Sequence, residues 1–276
     1  MTTPVFANSA FVDTPEWLVL RGGRWRKRPL YVRYGLCLDA KTGPVLIDTG
    51  YTNHALRDPD RSLGLRLYGR ALGARLQDSG QPEAFLARFN LRPRDITTVV
   101  VTHFHADHVS GLRLFAQARF VAAAAGWDAL RANSRFANLR HGVFPELLPP
   151  DFTDRLDLID AAPQVAAPLL DHKAHDLLGD GSLLALPLPG HAPGHVGLIF
   201  PALGTPLLYA VDAQWTCAAL PAQRRPGLAA RLVSHDRAAH ARSCDLVTRF
   251  AEAGGDVMLC HDPAPSAFDL KDLPCG

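Results

Sequence analysis

"VTHFHADHVSGL", residues 101–112, places three histidines and one aspartate within the six positions from His103 to His108. The tract directly follows the apolar, β-branched run "ITTVV" of residues 96–100. In an extended segment leaving a strand, residues two apart point the same way, so His103 and His105 can converge on one point. Asp107 and His108 fall at the following bend and can serve a neighbouring point. The tract therefore suits two adjacent metal ions. Without ions, four clustered polar side chains in a core would need at least as many hydrogen-bond partners. A surface tract, in turn, has no reason to follow so apolar a run.

Other apolar runs end in the same residue types. His191 closes "LPLPGH" (186–191), Asp212 closes "LLYAVD" (207–212) and His261 closes "DVMLCH" (256–261). Singly, a strand-end Asp is usually a cap and a lone His is usually a hydrogen-bonded core residue; their joint placement is what points to a shared site. Asp48 in "IDTG" is a candidate acceptor for the N–H of a ligand histidine, with Thr102 in a smaller part of the same kind. The competing reading of Asp48 is an Asx turn beside Gly50. His195, four residues after His191, reads as a structural histidine or an outer partner of the site. His54, His141, His172 and His175 lie in loop-like sequence and read as surface residues, at most lining a pocket.

Strand-like runs recur at 34–40, 44–50, 96–103, 118–124, 182–191, 196–201, 206–212 and 256–261, most of them apolar enough to be buried on both faces. Helical patterns separate some of them. Residues 79–93 offer Ser79 as a cap and Pro93 as a stop. Residues 234–255 offer Ser234 or Asp236 as a cap, a stripe through Ala241, Cys244, Val247, Phe250 and Ala251, and Gly254-Gly255 as a stop. Residues 125–180, broken by "FPELLPPDF" and "DAAPQVAAP", read as loops or a substrate-facing insertion. The class is α/β.

The chain has 276 residues, 47% of them hydrophobic and 20% charged, which suits one large globular domain over 1–276 and excludes disorder or a fibre. A net charge of +2 gives no global pull toward a polyanion. The basic stretch "RGGRWRKRP" (21–29) reads as a solvated hairpin, and no nucleic-acid partner is expected. Five cysteines (Cys37, Cys217, Cys244, Cys260 and Cys275) without a C-x-x-C spacing read as reduced thiols. No signal-peptide pattern opens the chain and no apolar run approaches the ~20 residues of a spanning helix. A cytoplasmic protein acting on a small molecule, with no membrane partner, is the expectation; a homodimer is left open.

"THFHADH", then "PGHAPGH", then "VD" after an apolar strand, then a late "CHD", resembles the metallo-β-lactamase superfamily, and the upstream "PVLIDTG" matches the strand and turn before that family's first ligand tract. The resemblance implies a four-layer αββα sandwich with metals at one edge of the two sheets. It implies that His103, His105 and His191 hold one metal, that Asp107, His108 and His261 hold a second, and that Asp212 bridges both. Two divalent ions about 3.5–4 Å apart can share a hydroxide and leave a position open for a substrate oxygen, which suits attack on an ester or lactone carbonyl. Asp107 is then the group that returns a proton to the leaving oxygen. Zinc fits the donor set best, with manganese, iron, cobalt and nickel also compatible.

Within the superfamily the spacing is most similar to the N-acyl homoserine lactone lactonase branch. One departure matters: where those lactonases carry a tyrosine three residues after the bridging aspartate, this chain has Trp215, whose indole N–H donates but neither accepts nor relays a proton. The alternatives are a glyoxalase II-like thioesterase, a mononuclear-iron persulfide dioxygenase and a non-catalytic metal-binding protein.

Overall fold

The computed structural model describes residues 3–39, 43–221, 224–225 and 234–271. Cys275 lies outside them. Among the described residues thirteen strands form two sheets. The first is ordered β4-β1-β2-β3-β5-β6-β7, from β1 (Pro4–Pro15), β2 (Lys27–Asp39), β3 (Gly43–Ile47), β4 (Arg75–Leu76), β5 (Thr98–Val101), β6 (Arg119–Ala122) and β7 (Leu156–Leu158). The second is ordered β13-β12-β11-β10-β9-β8, from β8 (Gln164–Ala166), β9 (Lys173–Asp176), β10 (Leu184–Pro187), β11 (Val196–Phe200), β12 (Leu207–Val211) and β13 (Asp256–Leu259).

The long β1–β2 hairpin is antiparallel, whereas β3, β5, β6 and β7 run parallel. Every residue of β11 and β12 is buried, because both faces of the second sheet are covered. Side-chain alternation divides the two faces. Leu207, Tyr209 and Val211 join Phe6 and Ile47 in the core between the sheets. Leu208 and Ala210 pack outward with Leu246, Val247 and Phe250. The Tyr209 ring meets Phe6 of the other sheet at 4.6 Å, and its hydroxyl donates to the Arg33 carbonyl at 3.0 Å. On the far side of the first sheet the helix Pro82–Ala87 sets Phe85 edge-on against Tyr34 at 5.3 Å. Helix, sheet, sheet and helix make the αββα sandwich expected from the sequence.

Several local expectations need correction. The helix expected over 79–93 is the shorter Pro82–Ala87, with Gln81 at its N-cap and a proline in its first turn; Ser79 sits in the preceding 3-10 turn. The C-terminal helix is Arg237–Glu252, capped by Asp236, whose carboxylate accepts from Ala238 and Ala239. Cys244, Val247 and Phe250 are buried as the stripe required, but Ala241 faces solvent. Residues 125–180 are not plain loops: they supply most of the helix Ala124–Ala132, the helix Arg135–Arg140, the edge strands β7 and β8, and β9 beside β8. His175, read as a surface residue, is buried in β9 and bonds the Ala162 carbonyl at 3.1 Å. Glu16 answers the basic 21–29 stretch, with a 2.8 Å ion pair to Arg28 and a longer one to Arg26.

Candidate metal centre

Five strands deliver polar residues to one edge of the sandwich. Asp48 follows β3, Thr102 and His103 follow β5, and Asp212 follows β12. His191 lies in the turn after β10, and His261 stands two residues past β13. After β5 the chain bends into the short helix Ala106–Val109, with His105 at its N-cap and Asp107 and His108 inside it. The 47–52 segment clasps this bend: the His108 carbonyl accepts from both the Thr49 amide and the Thr49 hydroxyl at 2.9 Å. Gly111 is required there, since a Cβ on it would stand 2.9 Å from the Thr49 Cβ. Gly190 has φ +119°, and a Cβ on it would fall 2.0 Å from the His240 amide nitrogen; only glycine lets the turn carrying His191 lie under the long helix.

Donor atoms gather around two neighbouring points. At the first, His105 Nδ1 lies 3.0 Å from His103 Nε2 and 3.1 Å from His191 Nε2. Asp212 Oδ2 is 3.3 Å from His191 Nε2 and 3.9 Å from His103 Nε2. At the second, His108 Nε2 is 3.5 Å from Asp107 Oδ2 and 3.6 Å from Asp212 Oδ2. His261 Nε2 is 3.4 Å from Asp107 Oδ2 and 3.2 Å from Asp212 Oδ2. Donors held tetrahedrally at about 2.0–2.2 Å from one ion stand about 3.3–3.5 Å apart, so both sets have the spacing of a coordination shell. Asp212 Oδ2 belongs to both.

Two orphaned atoms support the fit. Among the described residues His108 Nε2 and Asp212 Oδ1 are buried without a hydrogen-bond partner, which a bound cation would relieve. The chemistry of the donors agrees, being imidazole nitrogen and carboxylate oxygen throughout. Cys260 Sγ also lies near the second group, a donor sequence reasoning did not propose, but it is 3.4 Å from the Arg33 carbonyl oxygen and fully buried.

The outer contacts fix each ring. Asp48 Oδ2 accepts from His108 Nδ1 at 2.9 Å, and its carboxylate also takes the Thr102 amide and hydroxyl at 2.9 and 2.8 Å. His261 Nδ1 is tied to the Tyr31 carbonyl at 2.6 Å. His195 is occupied at both nitrogens: Nδ1 meets the Leu188 carbonyl at 2.9 Å, and Nε2 accepts the Asp212 amide at 3.3 Å. It holds the start of the Asp212 turn and is not open to substrate. Asp48 and Val211 both adopt the left-handed region, with φ of 58° and 53°. For β-branched Val211 this is strained backbone, sustained beside the shared carboxylate.

Electrostatics separate the two groups. Burial, reinforced by neighbouring imidazoles, pushes His103 far below the usual histidine range and His105 down to about 3, so their lone pairs are available to a cation. Burial also disfavours charge on His108, but Asp107, Asp48 and Asp212 overcome it and hold the ring proton tightly. His261 is raised in the same way, chiefly by Asp212.

The donors open onto a cavity of about 300 Å³. His105, Asp107, His191, Asp212 and His261 form its floor, and Val12, Leu18, Val19, Leu30, Leu72 and Trp215 form an apolar wall. Thr14, Tyr51, Tyr68, Arg140, His141 and Gly142 complete it. Sequence reasoning missed Tyr51, Tyr68 and Arg140 and allowed His141 only as lining. Tyr68 sits on the helix Leu63–Leu72, where it reads as one more core aromatic. His54 instead pairs with Asp58 at 2.8 Å, and His172 is exposed.

Comparison with known proteins agrees with this architecture. The sequence model of the metallo-beta-lactamase superfamily matches residues 36–249, and the chain belongs to that superfamily. An N-acyl homoserine lactonase of a Bacillus species is 23% identical over 180 residues, covering 65% of this chain and 62% of that protein. The N-acyl homoserine lactonase AttM of Azorhizobium caulinodans is 30% identical over 181 residues, covering 62% and 60%. A probable metallo-hydrolase of Mycobacterium tuberculosis is 28% identical, covering 64% and 55%. The match thus spans less than two thirds of these relatives' length. Among solved structures, a variant of B. thuringiensis AiiA with N-decanoyl-L-homoserine at its active site superposes with a TM-score of 0.70 at 17% identity, covering 95% of both chains. A probable metal-dependent hydrolase from Staphylococcus aureus gives 0.71 at 18%, covering 95% and 89%.

Proposed function

We propose that this chain is a dinuclear metal-dependent hydrolase that cleaves an ester or lactone bond in a small, partly apolar substrate. The observation that carries the reading is Asp212 Oδ2, which stands within 3.2–3.9 Å of one histidine pair in each donor group. His103, His105 and His191 would hold one ion, Asp107, His108 and His261 the other, and Asp212 both. When bound, such ions supply a water acidified toward neutrality and an electrophilic contact for a carbonyl oxygen; zinc suits the donors best.

The chain's own residues do the rest. Asp48 and the Tyr31 carbonyl keep the rings of His108 and His261 turned toward the site. The apolar wall with Trp215 receives the substrate's hydrocarbon part and excludes water from it. Asp107, on the cavity floor, is placed to take a proton from the attacking water and return it to the leaving oxygen. The balance is ester plus water giving carboxylic acid plus alcohol. His261 completes a second group that a one-iron dioxygenase would leave without use.

Each donor group draws on both sheets, which supports reading residues 1–276 as one domain. No helix among the described residues is long and apolar enough to cross a membrane. Cys217, Cys244 and Cys260 form no disulfide, which fits a reducing compartment, and a cytoplasmic location belongs to the proposal.

The test is a panel on metal-loaded protein: an N-acyl homoserine lactone, an aryl ester, a glutathione thioester, a β-lactam and a phosphodiester. The expected result is the highest kcat/KM on the lactone or the ester, lost on chelation. A thioester preference would move the chain to the glyoxalase II-like class. Inactivity on all five with metal bound would point to a non-catalytic protein.

A further inference from the structure

The function proposed above uses the donor floor and the apolar wall of the cavity but leaves two phenols without a task. Tyr51 and Tyr68 both line the cavity, with their hydroxyl oxygens 3.2 Å apart. Each phenol brings one proton, and only one proton can lie between the two oxygens. Tyr51 is 1% exposed, and among the described residues its hydroxyl has Tyr68 as its one hydrogen-bond partner, while Tyr68 is only half-buried. Donation from Tyr51 to Tyr68 satisfies the enclosed hydroxyl and leaves the Tyr68 proton directed into the cavity.

The hydroxyl of Tyr68 is also held in place. Its ring packs against Phe144 at 5.0 Å, and a Cβ on Gly142 would stand 3.2 Å from its oxygen. The Gly142 carbonyl in turn accepts the Ala106 amide at 3.0 Å, between His105 and Asp107. The phenol is thus registered, through one glycine, to the bend that carries three of the metal-capable side chains.

We infer that Tyr68 is a catalytic residue whose hydroxyl donates a hydrogen bond to the substrate's carbonyl oxygen as that oxygen becomes negatively charged. The inference rests on the ester or lactone reading. The water oxygen bonds to the carbonyl carbon, the carbonyl π pair moves onto oxygen, and Tyr68 stabilises that charge without transferring its proton. On collapse the C=O bond re-forms, the bond to the leaving oxygen breaks, and the water-derived proton passes from Asp107 to the departing alkoxide. Tyr68 ends as it began. Tyr51 is a positioning residue that orients the Tyr68 hydroxyl.

The test compares wild type, Tyr68→Phe and Tyr51→Phe, all metal-loaded, on the ester or lactone that wild type hydrolyses best. Tyr68→Phe is expected to lose about a hundredfold in kcat with KM and metal content little changed, the scale of one oxyanion donor. Affinity for an alkyl phosphonate, a tetrahedral anion resembling the charged intermediate, should weaken by a similar factor in a direct binding measurement. Tyr51→Phe should lose less than Tyr68→Phe. If Tyr68→Phe does not fold, Tyr51→Phe carries the test: a fall in kcat and phosphonate affinity with metal content unchanged is expected, and wild-type values for both overturn the inference. A Tyr68→Phe enzyme within twofold of wild type in kcat and phosphonate affinity overturns the inference and leaves the hydrolase reading standing. So does a greater loss in Tyr51→Phe than in Tyr68→Phe. Wild-type inactivity on every ester and lactone overturns both.

Discussion

The chain buries two polar clusters built on opposite plans. Arg33, 1% exposed, uses all three guanidinium nitrogens. Nε donates to Asp269 Oδ1 at 2.7 Å, Nη2 to Asp269 Oδ2 at 2.9 Å and the Ala264 carbonyl at 2.8 Å, and Nη1 to the Leu259 and Asp262 carbonyls. Donors there meet acceptors throughout. At the strand ends nearby, three imidazole nitrogens gather with His105 Nδ1 3.0–3.1 Å from the other two, and Asp212 Oδ1 and His108 Nε2 have no hydrogen-bond partner among the described residues. The first arrangement is complete as protein and serves the fold by tying the segment after β13 to β2. The second is complete only with something cationic in it. Satisfaction of buried polar atoms, more than their burial, separates a structural cluster from a ligand site.

Substitutions in the two clusters should therefore have different signatures. Arg33→Ala leaves a partly buried carboxylate and three carbonyls without their donor, and should cost about 3–5 kcal/mol of folding stability. Denaturant unfolding of the variant checks this, with metal content per folded chain expected to be unchanged. Asp212→Ala should do the reverse. It is expected to weaken metal binding at both positions by about a hundredfold and to remove most hydrolysis, as competition with a chelating dye would show. Retention of two metals and full turnover would mean that Asp212 is no bridge.

Asp48→Asn probes the boundary between the clusters, since Asp48 is as well bonded as Arg33 yet touches a candidate ligand. Metal affinity should fall by about 10–100-fold, as for other carboxylates behind a ligand histidine. A loss of stability with metal affinity intact would make Asp48 part of the fold alone. Trp215→Tyr should have the smallest effect. It adds a hydroxyl to a wall where Tyr68 already offers one, so turnover of an acyl homoserine lactone should rise by less than about tenfold. Comparing kcat/KM on the lactone and on an unrelated ester checks this; an equal change on both would take Trp215 out of substrate contact.

The strands that bear the site were legible because each is an apolar run ending in Asp, His or Gly. The candidate donors stood out for the same reason: His103, His191, Asp212 and His261 follow runs that only a buried strand explains. What escaped was held by tertiary contact. The strands β7, β8 and β9 are three or four residues long and separated by proline-containing turns, so neighbouring strands and not local pattern define them. Tyr68 escaped for a different reason. Nothing in the helix Leu63–Leu72 distinguishes a phenol packed in a core from one whose oxygen reaches a cavity; the signal is Gly142, more than seventy residues later, and only the fold brings the two together.

The central claim is that the unsatisfied cluster holds two ions bridged by Asp212. Metal analysis of the purified chain, after saturation with zinc and removal of excess, tests it most directly. The expected result is two zinc ions per chain, falling together in Asp212→Ala. A firm stoichiometry of one, with iron as the preferred ion and oxygen consumed during turnover, would contradict it.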